Sequence, residues 1–250
     1  MSKKTIVIIL AVIAVIAGLI LIMSSNGNDG SAAEQEPISM EELYTESVAD
    51  AVSAEEDEIE TLVTLTSDSD MTTWNEESNK VLLVSWHKYP ESYIPGESFT
   101  CSYGEVWTFT DKEMLNWYDE NSEGVEDWEL RMEQLIGLPE SKDNTHFSAF
   151  WVDLDEVVRP AYEPDVTEQV DPEELDGSAL GTLEGWFKNN ESGSYLEEDP
   201  YPWTKLGYTY DWAADCDDYG LTEFIILADS EIEVEWTMSN EEFLEWLAEN

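Results

Sequence analysis

The sequence predicts an α+β fold: a largely antiparallel sheet with packed helices, preceded by one N-terminal transmembrane helix and an acidic spacer. Three observations lead to it. Short runs of β-branched and aromatic residues, at 81–86 and 145–152, alternate their faces as strands do. Ser or Thr followed three residues later by Glu opens several stretches with apolar residues at helical intervals. Strands and helices also mix without the regular alternation of a parallel α/β sheet.

Residues 5–23 form an uncharged Ala/Val/Ile/Leu-rich run behind Lys3 and Lys4. As a helix it reaches about 29 Å, close to the hydrocarbon thickness of a bilayer. No side of it is polar, unlike an amphipathic core helix. Lysines before the run and acids after it place residues 1–4 in the cytoplasm and the remainder outside. The run exceeds the apolar region of a cleaved signal peptide, so the expectation is an uncleaved signal-anchor in the cell membrane.

The chain has 58 acids against 10 Lys plus Arg, a net charge of −48. That sign argues against nucleic-acid partners, because phosphates would be repelled. Residues 24–79 contain no Lys or Arg and read as a flexible acidic spacer, with one local helix opened by Ser39-Met40-Glu41-Glu42.

Aromatic residues become frequent in 80–250, the expected extracellular α+β domain. Val81-Leu82-Leu83-Val84-Ser85-Trp86 reads as a buried strand, and Glu105-Val106-Trp107-Thr108-Phe109 as another, running into a capping box at Thr110-Asp111-Lys112-Glu113. Val125, Trp128, Met132, Leu135 and Ile136 share one helical face, stopped by Gly137 and Pro139. In the strand at 145–152, Phe147, Ala149 and Trp151 face one side, and His146, Ser148, Phe150 and Val152 the other. A helix is expected near 180–188 and a strand at Leu206, Tyr208 and Tyr210. A hairpin is expected about Asp229-Ser230, and a closing helix after Ser239-Asn240-Glu241-Glu242.

Several residues are candidates for chemistry. His87 and His146 each sit near a strand end with a serine two positions away. If the strands are neighbours, both imidazoles open onto one cleft near Arg159, an arrangement suited to general acid/base work; the alternative is ordinary hydrogen bonding at strand ends. Asp215, Asp217 and Gly220 match three positions of a calcium loop, but Tyr219 and Ile226 break the motif. What remains is a non-standard Ca2+ site of Asp211, Asp215, Asp217 and Asp218, or a solvated turn. Tyr201, Trp203, Tyr208, Tyr210 and Trp212 either fill core or present faces to a sugar. Cys101 and Cys216 can form a disulfide only if the fold brings them together. No phosphate-cradling Gly loop, zinc spacing or nucleophile elbow is present.

Trp86-His87-Lys88-Tyr89-Pro90, Leu135-Ile136-Gly137-Leu138-Pro139 and the block from Tyr201 to Trp212 resemble conserved blocks of an uncharacterised bacterial exported protein family over about residues 80–230. The resemblance implies no activity or ligand. The functional expectation is a membrane-anchored binding module for a cation, a glycan or a cationic protein. The alternative is an envelope hydrolase or transferase with His87 and His146 in its cleft.

Overall fold

The structure, a computed structural model, describes residues 38–77, 79–140, 143–196, 198–214 and 216–250. The expected cytoplasmic residues 1–4, the membrane helix 5–23 and the spacer up to residue 37 lie outside them. Among the described residues no helix is long and apolar enough to cross a membrane.

The architecture is α+β, built on a seven-stranded sheet in the order β2-β9-β4-β1-β3-β8-β5, every neighbouring pair antiparallel. The strands are β1 (Lys80–His87), β2 (Ser98–Thr100), β3 (Val106–Thr110), β4 (His146–Asp153), β5 (Val157–Val158), β8 (Phe224–Ile226) and β9 (Glu231–Ser239). A second, two-stranded sheet pairs β6 (Tyr208–Tyr210) with β7 (Tyr219–Thr222).

Alternation along β1 and β4 sorts the core into two layers. Leu82, Val84, Trp86, Phe147 and Ala149 meet helices α2 (Asp111–Asn121), α3 (Trp128–Leu135) and α5 (Asn240–Glu249) through Met114, Met132, Leu135, Phe243 and Leu247. Val81, Leu83, Phe150 and Val152 pack on the other face with Phe224, Ile226, Ile232, Val234 and Leu65.

Local chemistry sets the helix ends. Ser39 and Ser239 form full capping boxes with Glu42 and Glu242, at α1 (Met40–Asp50) and α5. Thr110 caps α2 through Glu113 N–H, but the expected return bond from the Glu113 side chain is absent. That carboxylate turns inward and accepts from Tyr219 Oη, Thr222 N and Thr222 Oγ1. Gly137, at φ +68°, ends α3 with Leu138 N donating to Glu133 O and Gly137 N to Gln134 O. The helix near residue 180 begins as a 3-10 turn and continues as α4 (Glu184–Leu196), longer than expected.

Two expectations are corrected. Residues 39–79 are not an extended spacer but belong to one compact unit with the rest of 39–250. Leu62 and Leu65 are buried, and Leu65 N donates to Val166 O while Leu62 and Gln169 exchange two hydrogen bonds. Tyr44 of α1 packs edge-on against Trp212 at 5.4 Å. The hairpin about Asp229 is also absent: β8 pairs with β3 and β5, whereas β9 pairs with β2 and β4. A flat sheet would separate β8 from β9 by four strand spacings, about 19 Å. The five Cα steps from Ile226 to Glu231 span about 17 Å even when fully extended. The sheet therefore curls, which is how β1, β4, β8 and β9 enclose one core layer.

Arg159, just beyond β5, is 1% exposed and joins the segment after β5 to Val63. Its guanidinium donates to the carbonyls of Asp165, Glu168, Val63 and Val166. Gly207, at φ +90°, lies alongside, and a Cβ there would fall 2.5 Å from Arg159 Cδ. Only glycine lets the buried side chain lie flat. Arg159→Met removes four hydrogen bonds made by a buried guanidinium, leaving the Val63 and Glu168 carbonyls without that donor, and is expected to lower unfolding free energy by about 3 kcal/mol in urea titrations. Arg159→Lys should rescue little, because one ammonium cannot reproduce the planar fork.

Candidate functional site

The sheet opens where its two halves join. Among the described residues β1 and β3 are in register at two pairs, Leu83↔Thr110 and Val84↔Phe109. Beyond them Ser85, Trp86 and His87 pair only toward β4, and Val106, Trp107 and Thr108 pair toward β8. A cavity of about 500 Å3 occupies the resulting slot. Its lining includes consecutive residues of both strands, Ser85-Trp86-His87 and Val106-Trp107-Thr108-Phe109, with Glu105 just before the second. A cavity on one face of an intact sheet would meet alternate residues only, so these walls are strand edges.

The rest of the wall comes from residues 136–138 after α3, Asn190 and Ser194 of α4, residues 201–203, β6 and Glu223. The backbones here are tightly docked. A Cβ on Gly220 would lie 2.2 Å from Leu135 O, and Thr209 Oγ1 both donates to Leu135 O and accepts from Leu221 N. Aromatic rings are its largest side chains: Trp203, Tyr208 and Tyr210 are buried, and Trp107 is 37% exposed. Trp186 stands at 82° to Trp203, 6.0 Å away, and its Nε1–H donates to Glu105 Oε1 at 3.4 Å.

Two polar atoms in this wall have no protein partner, Glu223 Oε1 and Asn190 Nδ2, although the Glu223 carboxyl as a whole accepts a hydrogen bond from Trp203. Glu223 is 6% exposed and sits where the chain leaves β7 for β8. Burial holds its carboxyl well above the usual carboxylate range.

The two histidines face each other directly, as the pair His87↔His146 across β1 and β4. Only His87 lines the cavity. Its Nδ1 accepts from Tyr89 N–H at 3.1 Å, so its proton resides on Nε2 and is donated to Ser148 Oγ at 2.7 Å. Ser148 then donates to Thr237 Oγ1, and Thr237 to Tyr93 O, each at 2.7 Å. The chain of donors runs one way and ends on a carbonyl. Neither His87 nitrogen is left to take a proton from Ser148, as nucleophilic catalysis would require. His146 is half-buried, with Nδ1 2.8 Å from Thr145 Oγ1. Arg159 is three strands away from β1 and joins neither histidine.

The proposed calcium ligands separate as well. Asp211 is buried in a two-pronged pair with Arg131, at 3.0 and 2.5 Å. Asp217 and Asp218 are exposed, and Asp215 lies outside the described residues. Among the described residues no group of three or more His, Cys, Asp or Glu is arranged to hold a metal ion. Cys101 is buried, its thiol pushed up to about 11, Cys216 is exposed, and the two are not bridged.

The sequence reading missed Glu223, Asn190 and Trp107. One signal for Glu223 was present: a lone acid inside the apolar run Leu221-Thr222-Glu223-Phe224-Ile225-Ile226. No protein-family model, no curated protein and no solved structure matches the chain.

Burial, with His146 adding to it, pushes the His87 imidazole down from 6.5 to about 4. The neutral ring thus stabilises the fold fully above pH 6.5, and that contribution is lost as pH falls from 6.5 towards 4. The loss amounts to about 3 kcal/mol at most. NMR should find His87 as the Nε2–H tautomer until about pH 4. Comparing pH-dependent unfolding with that of His87→Gln should show that the variant lacks this slope.

Proposed function

We propose that the chain is a membrane-anchored extracellular protein whose 39–250 unit binds a small organic molecule in the slot between β1 and β3. The observation that carries the reading is the cavity itself. Its size is that of a small-molecule site, its wall is rich in aromatic side chains, and it holds two polar atoms with no partner in the protein. Unpartnered buried polar atoms are costly, and a ligand that meets them removes that cost. The aromatic block 201–212, which the sequence left open between core and sugar binding, supplies core and also part of the cavity wall. Trp203, Tyr208 and Tyr210 are buried and also form cavity wall. The anchor rests on residues 5–23 and on the lysines before them. A hydrolase or transferase reading centred on His87 has weaker support, because both of its ring nitrogens are engaged.

The cavity is tested by saturation-transfer NMR on the full-length chain, with monosaccharides, small alcohols and small organic amines as probes. Binders are expected, and Asn190→Phe, which places a ring in the cavity, should abolish their signals. A silent panel, or binders indifferent to that substitution, would overturn the reading. For the anchor, carbonate-washed membranes should retain the chain with Met1 intact; recovery of that chain in the soluble fraction would refute it.

A further inference from the structure

The chemistry of this cavity is one-sided. Its described lining contains no Lys or Arg but two carboxyl groups, Glu105 and Glu223. Among the described residues the ion pairs are Arg131–Asp211 and Lys188–Glu184, so no protein cation answers Glu223. The deepest basic side chains, Arg159 and Lys205, donate to backbone carbonyls elsewhere. A carboxyl group so placed keeps its proton until a positive charge arrives to replace it. Aromatic rings beside it favour the same sign of ligand, since their faces carry partial negative charge. The net charge of −48 concentrates cations and repels anions around the unit.

We propose that the cavity holds an organic cation, an ammonium head on a small apolar body, with Glu223 as counter-ion and the rings of Trp107, Trp203 and Tyr208 around it. This rests on the reading of the cavity as a small-molecule site and narrows its ligand class. Asn190 Nδ2, also without a partner, donates to an oxygen acceptor on the same ligand. The class is therefore an amino alcohol or a related oxygen-bearing ammonium compound rather than a simple alkylamine. A ligand carboxylate is disfavoured by the two acids of the wall.

Calorimetry on the full-length chain can separate charge from shape. The probes are choline, its uncharged carbon isostere 3,3-dimethyl-1-butanol, and glucose as a neutral polyol. Choline is expected to bind about tenfold or more tightly than the isostere. Glu223→Gln should erase that preference. Trp107→Leu, at a partly exposed position that tolerates change, should weaken choline more than the isostere and keeps the test decisive if Glu223→Gln fails to fold. Equal affinity for choline and isostere, or a preference that survives in Glu223→Gln, would overturn the cation assignment. Binding of glucose or the isostere without choline would overturn it while leaving the small-molecule reading intact. Silence from all three probes, together with a silent NMR panel, would remove both.

Discussion

The contact between β1 and β3 governs the rest of the structure. Those strands hold the halves of the seven-stranded sheet together, yet they are in register only at Leu83↔Thr110 and Val84↔Phe109. Had the pairing continued to His87, strand edges would close over the slot. The remainder of the fold keeps the separated strands apart. Their outer edges are claimed by β4 and β8, and the far wall is built by the segment after α3, by α4 and by the small β6-β7 sheet.

A second constraint is electrostatic. With 58 acids to place, the chain puts some of its few basic groups inside. Arg159 and Lys205 are each 1% exposed, and Arg131 grips the buried Asp211 while stacking 4.7 Å from Trp117. Lys205 donates to Val52 O and lies 4.7 Å from the Tyr195 ring. These cations face carbonyl dipoles, aromatic rings and one carboxylate, and they join segments distant in sequence. Acid repulsion is thereby left mostly to the exposed surface, where solvent and salt screen it.

The legible parts of the fold were those coded by local pattern. Strands β1, β3 and β4, the caps at Ser39, Thr110 and Ser239, and the Gly137 stop follow from period and capping chemistry, and they occur at the expected positions. The cross-strand meeting of His87 and His146 was legible as a condition, since it needed only β1 and β4 to be neighbours. What failed was non-local. The acidity of residues 39–79 masked the run Thr61-Leu62-Val63-Thr64-Leu65-Thr66, whose leucines are buried by partners about a hundred residues away. The turn at Asp229 resembles a hairpin because turn chemistry does not reveal which neighbours the flanking strands will take. Glu223 was hidden among 58 acids, and only its surroundings distinguish it.

The position of β9 bears on how the polypeptide comes to be folded at all. This strand comes after every other strand of the sheet, yet β9 lies between β2 and β4, two strands made long before it. Until residues 231–243 have been made, β4 lacks a partner along one edge and Phe147 lacks the stacking ring of Phe243. Topology of this kind makes for slow acquisition of structure and a dangling, pairing-competent strand in the meantime. Pairing along that edge of β4 therefore waits for a segment made well after β4 itself.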